Sequence, residues 1–352
     1  MLYLERTGNA LMYPNPYSRT SGDIDVWVNA SREDITEYAK RHFNLEDDIR
    51  FHHLETTMDG VPVELHFFPG IMNNPIYHAR LQKWFRRNAD LQCSHIVGLP
   101  DGAGDIAIPT TAFNVIYQLT HLYHHFFDEG IGMRQIIDYF LVVNDFSKNV
   151  FLNNKSSKIT PSLFTLKEGS TSHPDPLTLR GEGGKRPTRC SEPLRSKDGG
   201  ASKPSPDCAG WDRRDAIGDI ASDASVSSAF TTDSSASTAL DVVQRELKYL
   251  GLWKFAGAVM YVLHEALGLS EEKMIAPMDE KRGKLLLAEI LEGGNFGRHF
   301  TKYGHFTQQG MAKKYFLKIW RNMHFVRYYP AEALSEPIFR TWHFFWRMKN
   351  KK

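Results

Sequence analysis

The run Gly22-Asp23-Ile24-Asp25-Val26-Trp27-Val28 constrains this chain more than any other stretch. Apolar side chains alternate there with two carboxylates, the period of a half-buried strand whose successive residues point to opposite faces. Ile24, Val26 and Val28 are expected to face a core, and Asp23, Asp25 and Trp27 to share the other face. Residues two apart on a strand stand roughly 6–7 Å from one another, so both carboxylates can reach one or two hard cations. Acidic residues are poor strand formers and repel when adjacent. A pair held this way points to metal binding, with a solvated acidic edge strand as the structural alternative.

The flanks support the first reading. Tyr13 to Gly22 is rich in turn residues, and Pro14 and Pro16 keep the chain entering the strand extended. Arg19 is the nearest cation to the acidic pair; its guanidinium can hold a phosphate in two places or form a salt bridge that offsets the aspartates. Gly22 lets the backbone approach a ligand closely. Ser31-Arg32-Glu33-Asp34 has the pattern of a capped helix start, and Ile35, Tyr38, Ala39 and Phe43 recur at helical spacing behind it. Strands are expected over Arg50 to Leu54 and Val61 to Phe68, joined by a turn at Met58-Asp59-Gly60. The second strand turns Glu64 and His66 to the face opposite Val63, Leu65 and Phe67, which makes Glu64 the third acidic ligand.

Later stretches are helical in period. Helices are expected over Pro75 to Asp90, from Pro109 through Phe126, from Met133 to Val143, from Val242 to a stop at Gly268, and over Lys284 to Leu291 ending at Gly293-Gly294. The first carries Trp84, Arg86 and Arg87, a solvated face or a nucleotide contact. His121 and His125 stand one turn apart, spaced for a shared zinc or for helix packing. Between 147 and 238, Ser, Thr, Gly and Pro dominate and periodicity vanishes; such a segment buries too little apolar surface to offset its ordering entropy and is expected to be a disordered insertion. From Tyr315 to Trp346 aromatic residues interleave with Arg321, Arg327, Arg340 and Arg347. Single-stranded RNA binding or a membrane surface would suit that pattern, and so would an aromatic core with the arginines outside.

An apolar content of 41% over 352 residues supports a real core and excludes wholesale disorder. A net charge of +2 argues against a dedicated nucleic-acid binder. Cys93, Cys190 and Cys208 have no metal spacing and make no disulfide framework, which fits a reducing cytoplasm. The most apolar run, Phe255 to Leu269, contains His264 and Glu265 and is too short to span a bilayer.

A strand bearing Asp-x-Asp, a helix, and a second strand with a third carboxylate resembles the nucleotidyltransferase superfamily that includes DNA polymerase beta. More narrowly, Gly8-Asn9-Ala10-Leu11-Met12-Tyr13-Pro14-Asn15-Pro16, Arg19, Gly22-Asp23-Ile24-Asp25, Val63-Glu64-Leu65-His66, Gly130 to Gln135 and Asp138 resemble an uncharacterised bacterial nucleotidyltransferase family. The likeness returns at Leu250 to Ala256. The resemblance implies an α+β fold, a small mixed sheet with flanking helices plus a helical region. Its parts would be a catalytic domain over 1–108, shortened at its N-terminus, helices over 109–146, the insertion over 147–238 and a helical C-terminal region over 239–352. It implies transfer of a nucleotide from a nucleoside triphosphate to a hydroxyl or phosphate acceptor on a small molecule, RNA or protein. Asp23, Asp25 and Glu64 would hold Mg2+ or Mn2+, Glu64 could also accept the acceptor's proton, and Arg19, Ser21 and Gly22 would contact the nucleotide. Glu5 and Arg6 stand where the family carries Lys-Gly, which leaves a second reading: a catalytically weak binding or regulatory partner of toxin–antitoxin type.

Overall fold

The computed structural model describes residues 1–19, 22–43, 45, 50–155, 238–294 and 311–350. The chain divides into two compact units, Met1–Ile159 with Ala236–Lys352, and Thr160–Ser235. The second lies outside the described residues, and with it most of the expected insertion. Residues 147–155 are instead the last turns of a helix, and Thr238 already caps the next one.

The strands β1 (Leu2–Tyr3), β2 (Ile24–Trp27), β3 (His53–Met58) and β4 (Val61–His66) form a mixed sheet in the order β1-β2-β4-β3. Asp59 and Gly60 both take positive φ, 50° and 80°, between β3 and β4. This is the geometry whose twist matches a tight hairpin, and it pairs Met58 directly with Val61. β3 therefore runs up to the turn, later than the Arg50 to Leu54 expected from apolar spacing. β2 lies parallel to β4, and α2 (Arg32–His42) begins the connection between them, with the Ser31 hydroxyl accepting from the Asp34 amide.

Both faces of the sheet are covered. Val26, Leu54, Val63 and Leu65 pack with Ile35 and Ala39 of α2 in a small core. On the other face Leu2 and Trp27 join the large core built by α3 (Pro75–Cys93), the hairpin of β5 (Ile96–Gly98) and β6 (Asp105–Ala107), α4 (Thr111–Asp128), α5 (Met133–Lys155), α6 (Ala239–Tyr249), α7 (Trp253–Leu267) and α8 (Glu280–Gly293). Trp84 stacks on Phe113 with ring centroids 4.5 Å apart, so the α3 tryptophan is core, not nucleotide contact. Gly268 ends α7 in the left-handed conformation, as expected. The architecture is α+β: a small mixed sheet with flanking and additional helices.

The last two helices, α9 (Met311–Met323) and α10 (Pro330–Asn350), follow the expected arrangement in part: Phe325 and Tyr329 between them are core and Arg327 and Arg347 are exposed, but Arg321 and Arg340 turn inward. Arg321 is only 2% exposed and its Nε lies 3.5 Å from Glu289, with its guanidinium over Phe126 and Phe325. Arg340 and Lys318 both reach Asp128 on α4, at 2.7 and 3.0 Å. Meanwhile Ile338, Phe344, Phe345 and Met348 are exposed. Arg321 and Arg340 are drawn inward because Glu289 and Asp128, carboxylates on the helices they pack against, are stabilised by a cation there.

Glu332 fixes α10 to the segment after β4. Its two oxygens accept the backbone N–H groups of Asn73 and Asn74 at 2.6 and 3.2 Å. Burial pushes its carboxyl up to about 7, against those hydrogen bonds and with help from nearby Glu336. A folded-state pKa above the unfolded one means stability that is present below pH about 4.5 and lost as pH rises through about 7. Between pH 5 and 8 the wild-type chain should therefore lose about 2 kcal/mol relative to Glu332→Gln. Urea unfolding of both proteins at the two pH values checks this, and parallel losses would refute it.

Candidate functional site

Register assembles the site. Asp25 pairs with Glu64 across the parallel β2–β4 junction, and Glu64 pairs with Glu55 across the hairpin. Two residues along, on the same face, Trp27 pairs with His66 and His66 with His53. Paired residues share a sheet face, so a row of three carboxylates lies beside a row of one indole and two imidazoles. The face is the one turned to the helices, and Asp25, His53 and His66 are buried.

The two rows interlock. His66 Nε2 lies 3.2 Å from Asp25 Oδ1 and 3.3 Å from Glu64 Oε2. His53 Nδ1 lies 3.1 Å from Glu64 Oε2, while its Nε2 lies 3.3 Å from Glu55 Oε1. Arg50 closes the chain on Glu55 at 2.7 Å. Burial works against charge on Glu64, yet His66, His53 and Arg50 hold its carboxyl well below the usual range. Burial likewise opposes the His66 imidazolium, but Asp25 and Glu64 overcome it and raise the group to about 9. His52, whose ring is 5.6 Å from that of His66, is pushed down by burial and by its cationic neighbours. His124 of α4, next to His52, is lowered by burial to about 3.

Three sets of side chains bring their donor atoms within 4.8 Å of one another: Asp25–Glu64–His66, His53–Glu55–Glu64 and His52–His53–His66. The donor chemistry and spacing fit a divalent cation, with carboxylate oxygens on one side and imidazole nitrogen on the other. Of the acids expected from sequence, Asp25 and Glu64 are thus brought together. Asp23 stands one residue ahead of β2, half-buried, and belongs to none of these sets among the described residues. His66 was expected on the same face as Glu64 but given no role, and His53 and Glu55 were not singled out. The signal was present: counting back from the Asp59-Gly60 turn aligns Glu55 with Glu64 and His53 with His66.

The nucleotide-side expectations fare differently. Arg19 is buried against Asp138 of α5, its Nε 3.0 Å from Oδ1 and its Nη2 2.8 Å from Oδ2. Tyr13 donates its hydroxyl to the same Oδ1 at 2.7 Å, and burial together with Asp138 keeps that hydroxyl protonated, its pKa raised to about 12. A salt bridge of Arg19 exists, and its partner is Asp138 of α5. Gly22 immediately precedes Asp23; Ser21 lies outside the described residues. Glu5 and Arg6 fall in α1 (Glu5–Ala10), where buried Asn9 exchanges hydrogen bonds with Gln118 of α4. His121 and His125 meet through their Nε2 atoms, and His125 Nδ1 is 2.8 Å from Glu129. Among the described residues they join no three-ligand set.

Removing one member of a buried ion pair leaves an uncompensated charge. Asp138→Leu should cost about 3 kcal/mol, and adding Arg19→Met should return most of that loss. Denaturant unfolding of the single and double variants measures the coupling, and additive losses would rule out a buried pair of this strength.

No curated protein and no solved structure matches the chain. Residues 7–160, which contain every carboxylate and imidazole of the three sets, match the model of a family described as uncharacterised nucleotidyltransferase, the family that the strand motif and its companions resemble.

Proposed function

We propose that the chain is a magnesium-dependent nucleotidyltransferase that moves a nucleotide from a nucleoside triphosphate to a hydroxyl or phosphate acceptor. The observation that carries this reading is the pairing of Asp25 with Glu64 on adjoining parallel strands, inside the segment that matches a nucleotidyltransferase family. Asp23, one step from Asp25 along the alternation, is assigned to the same cation site.

Magnesium, or manganese, held there would neutralise charge that builds up on phosphoryl oxygens, the main requirement of such a transfer. The chain's own residues prepare the place. Asp25 and Glu64 are oriented by His66, and Glu64 is further held by His53. Glu64 lies opposite Asp25 and against both imidazoles, so we assign it to the metal and not to the base role also considered for it. Gly22 and Ser21 remain assigned to the nucleotide. For Arg19 that role requires Asp138 to yield it.

A second reading, binding without turnover as a regulatory partner, is favoured by one observation: two of the Arg19 nitrogens are already engaged by Asp138. No helix among the described residues is long and apolar enough to cross a membrane. With cysteines used as they are, we place the protein in the cytoplasm.

Titrating ATP, GTP, CTP and UTP with magnesium into wild type and Asp25→Asn tests the proposal. Wild type should bind at least one triphosphate only when magnesium is present, and Asp25→Asn should not. The variant relieves repulsion within the carboxylate row while losing one contact to His66. Its thermal midpoint should therefore stay within about 4 °C of wild type, a shift of about 1 kcal/mol. A variant that unfolds, or a wild type that ignores every triphosphate, counts against the assignment. Transfer of label from an α-labelled triphosphate separates turnover from binding alone.

A further inference from the structure

Imidazole is an uncommon neighbour for a magnesium site, and here it sits against both carboxylates. His66 Nε2 is 3.2 Å from Asp25 Oδ1 and 3.3 Å from Glu64 Oε2. Four donors at the roughly 2.0–2.1 Å of nitrogen and oxygen ligands around a tetrahedral cation stand about 3.3–3.4 Å apart. The two measured edges come close to that length. The three donor atoms all fall within 4.8 Å of one another, so a single cation can touch each.

The ring is also fixed where a ligand must be. His66 is the last residue of β4, paired on one side with Trp27 and on the other with His53, and it is 4% exposed. Ligands built on strands hold position better than ligands on loops. Glu64 has its own support: His53 Nδ1 at 3.1 Å, backed through the other nitrogen by Glu55 at 3.3 Å, which Arg50 holds at 2.7 Å. Ligating carboxylates are steadied by outer partners of this kind.

We propose that His66 is itself a ligand, completing with Asp25 and Glu64 a mixed imidazole–carboxylate centre for a divalent transition cation, with His53 as the positioning residue on Glu64. This rests on the assignment of Asp25 and Glu64 as cation ligands and goes further, because it changes which cation the site prefers. Carboxylate and water suit magnesium, whereas imidazole favours borderline metals such as cobalt and zinc. Manganese, which accepts both donor types, is the probe that reports on them.

The test is manganese binding to the untagged full chain, read by pulsed electron paramagnetic resonance. Nitrogen hyperfine coupling to the bound ion is expected in wild type, lost in His66→Gln and retained in His53→Gln. In competition, wild type should hold Mn2+ on the order of 10–100-fold more tightly than Mg2+, and His66→Gln should bring the two toward parity. An uncoupled wild-type spectrum suffices to overturn the idea, so a variant that fails to fold does not protect it. Bound manganese without nitrogen coupling overturns the ligand role of His66 and leaves the carboxylate site, and the nucleotidyl-transfer reading, standing. Coupling that survives in His66→Gln and disappears in His53→Gln overturns the assignment in favour of His53. No manganese binding, with or without triphosphate, overturns this proposal and the cation site together.

Discussion

Like charges directly opposite one another on neighbouring strands repel, and this sheet places three in a row, Asp25, Glu64 and Glu55, on a face covered by helices. A protein interior screens such charges weakly. The arrangement persists because the adjacent row supplies His66 and His53, and the rim supplies Arg50. Everything around the site follows from that balance. The hairpin must be tight so that Glu55 and His53 fall in register, and the parallel junction must hold Asp25 opposite Glu64. Trp27, in the same row as the imidazoles, closes the face against Phe85 with its ring 6.0 Å away.

Such a centre is useful only if the strands bearing it cannot shift, and the chain secures both approaches. Before β2, Asn9 locks α1 to Gln118, and Tyr13 and Arg19 converge on Asp138. After β4, Glu332 takes the amides of Asn73 and Asn74, and the Asn74 side chain caps α3. Phe51, just before β3, sits among Phe68, Phe339, Trp342 and Trp346. The C-terminal helix therefore touches segments on both sides of the carboxylate row. Its apolar face serves two ends, part buried against Phe51 and part exposed at Ile338 and Phe345.

Alternation and turn chemistry made β2, β4 and the hairpin legible, because period two and Asp-Gly are strong local signals. Ser31, Gly268 and Gly294 marked helix ends for the same local reason. β1 and the short helix α1 were too brief to leave a period, and β5 and β6 have three residues each. The start of β3 was misjudged because apolar spacing around Leu54 outweighed the count back from the turn. The C-terminal helices misled for a different reason. Arginine and aromatic residues alternate there at helical spacing, so the sequence cannot say which stripe faces inward; that depends on Glu289 and Asp128, remote carboxylates that need cations.

Arg19 illustrates how far a motif residue can be from the role its neighbourhood implies. Its place before an acidic strand suits a phosphate clamp, yet both it and Asp138 are almost inaccessible, and a phenol kept protonated up to about 12 completes the cluster. Freeing the guanidinium would strand a buried carboxylate, at a cost of about 3–5 kcal/mol, more than one exposed phosphate contact returns. The geometry therefore favours Arg19 as a strut that fixes the entry to β2 against α5. On this argument the motif divides its labour: Asn9, Tyr13, Arg19 and Asp138 hold the strand in place, which leaves Asp25, Glu64 and His66 as the donors proposed for the cation.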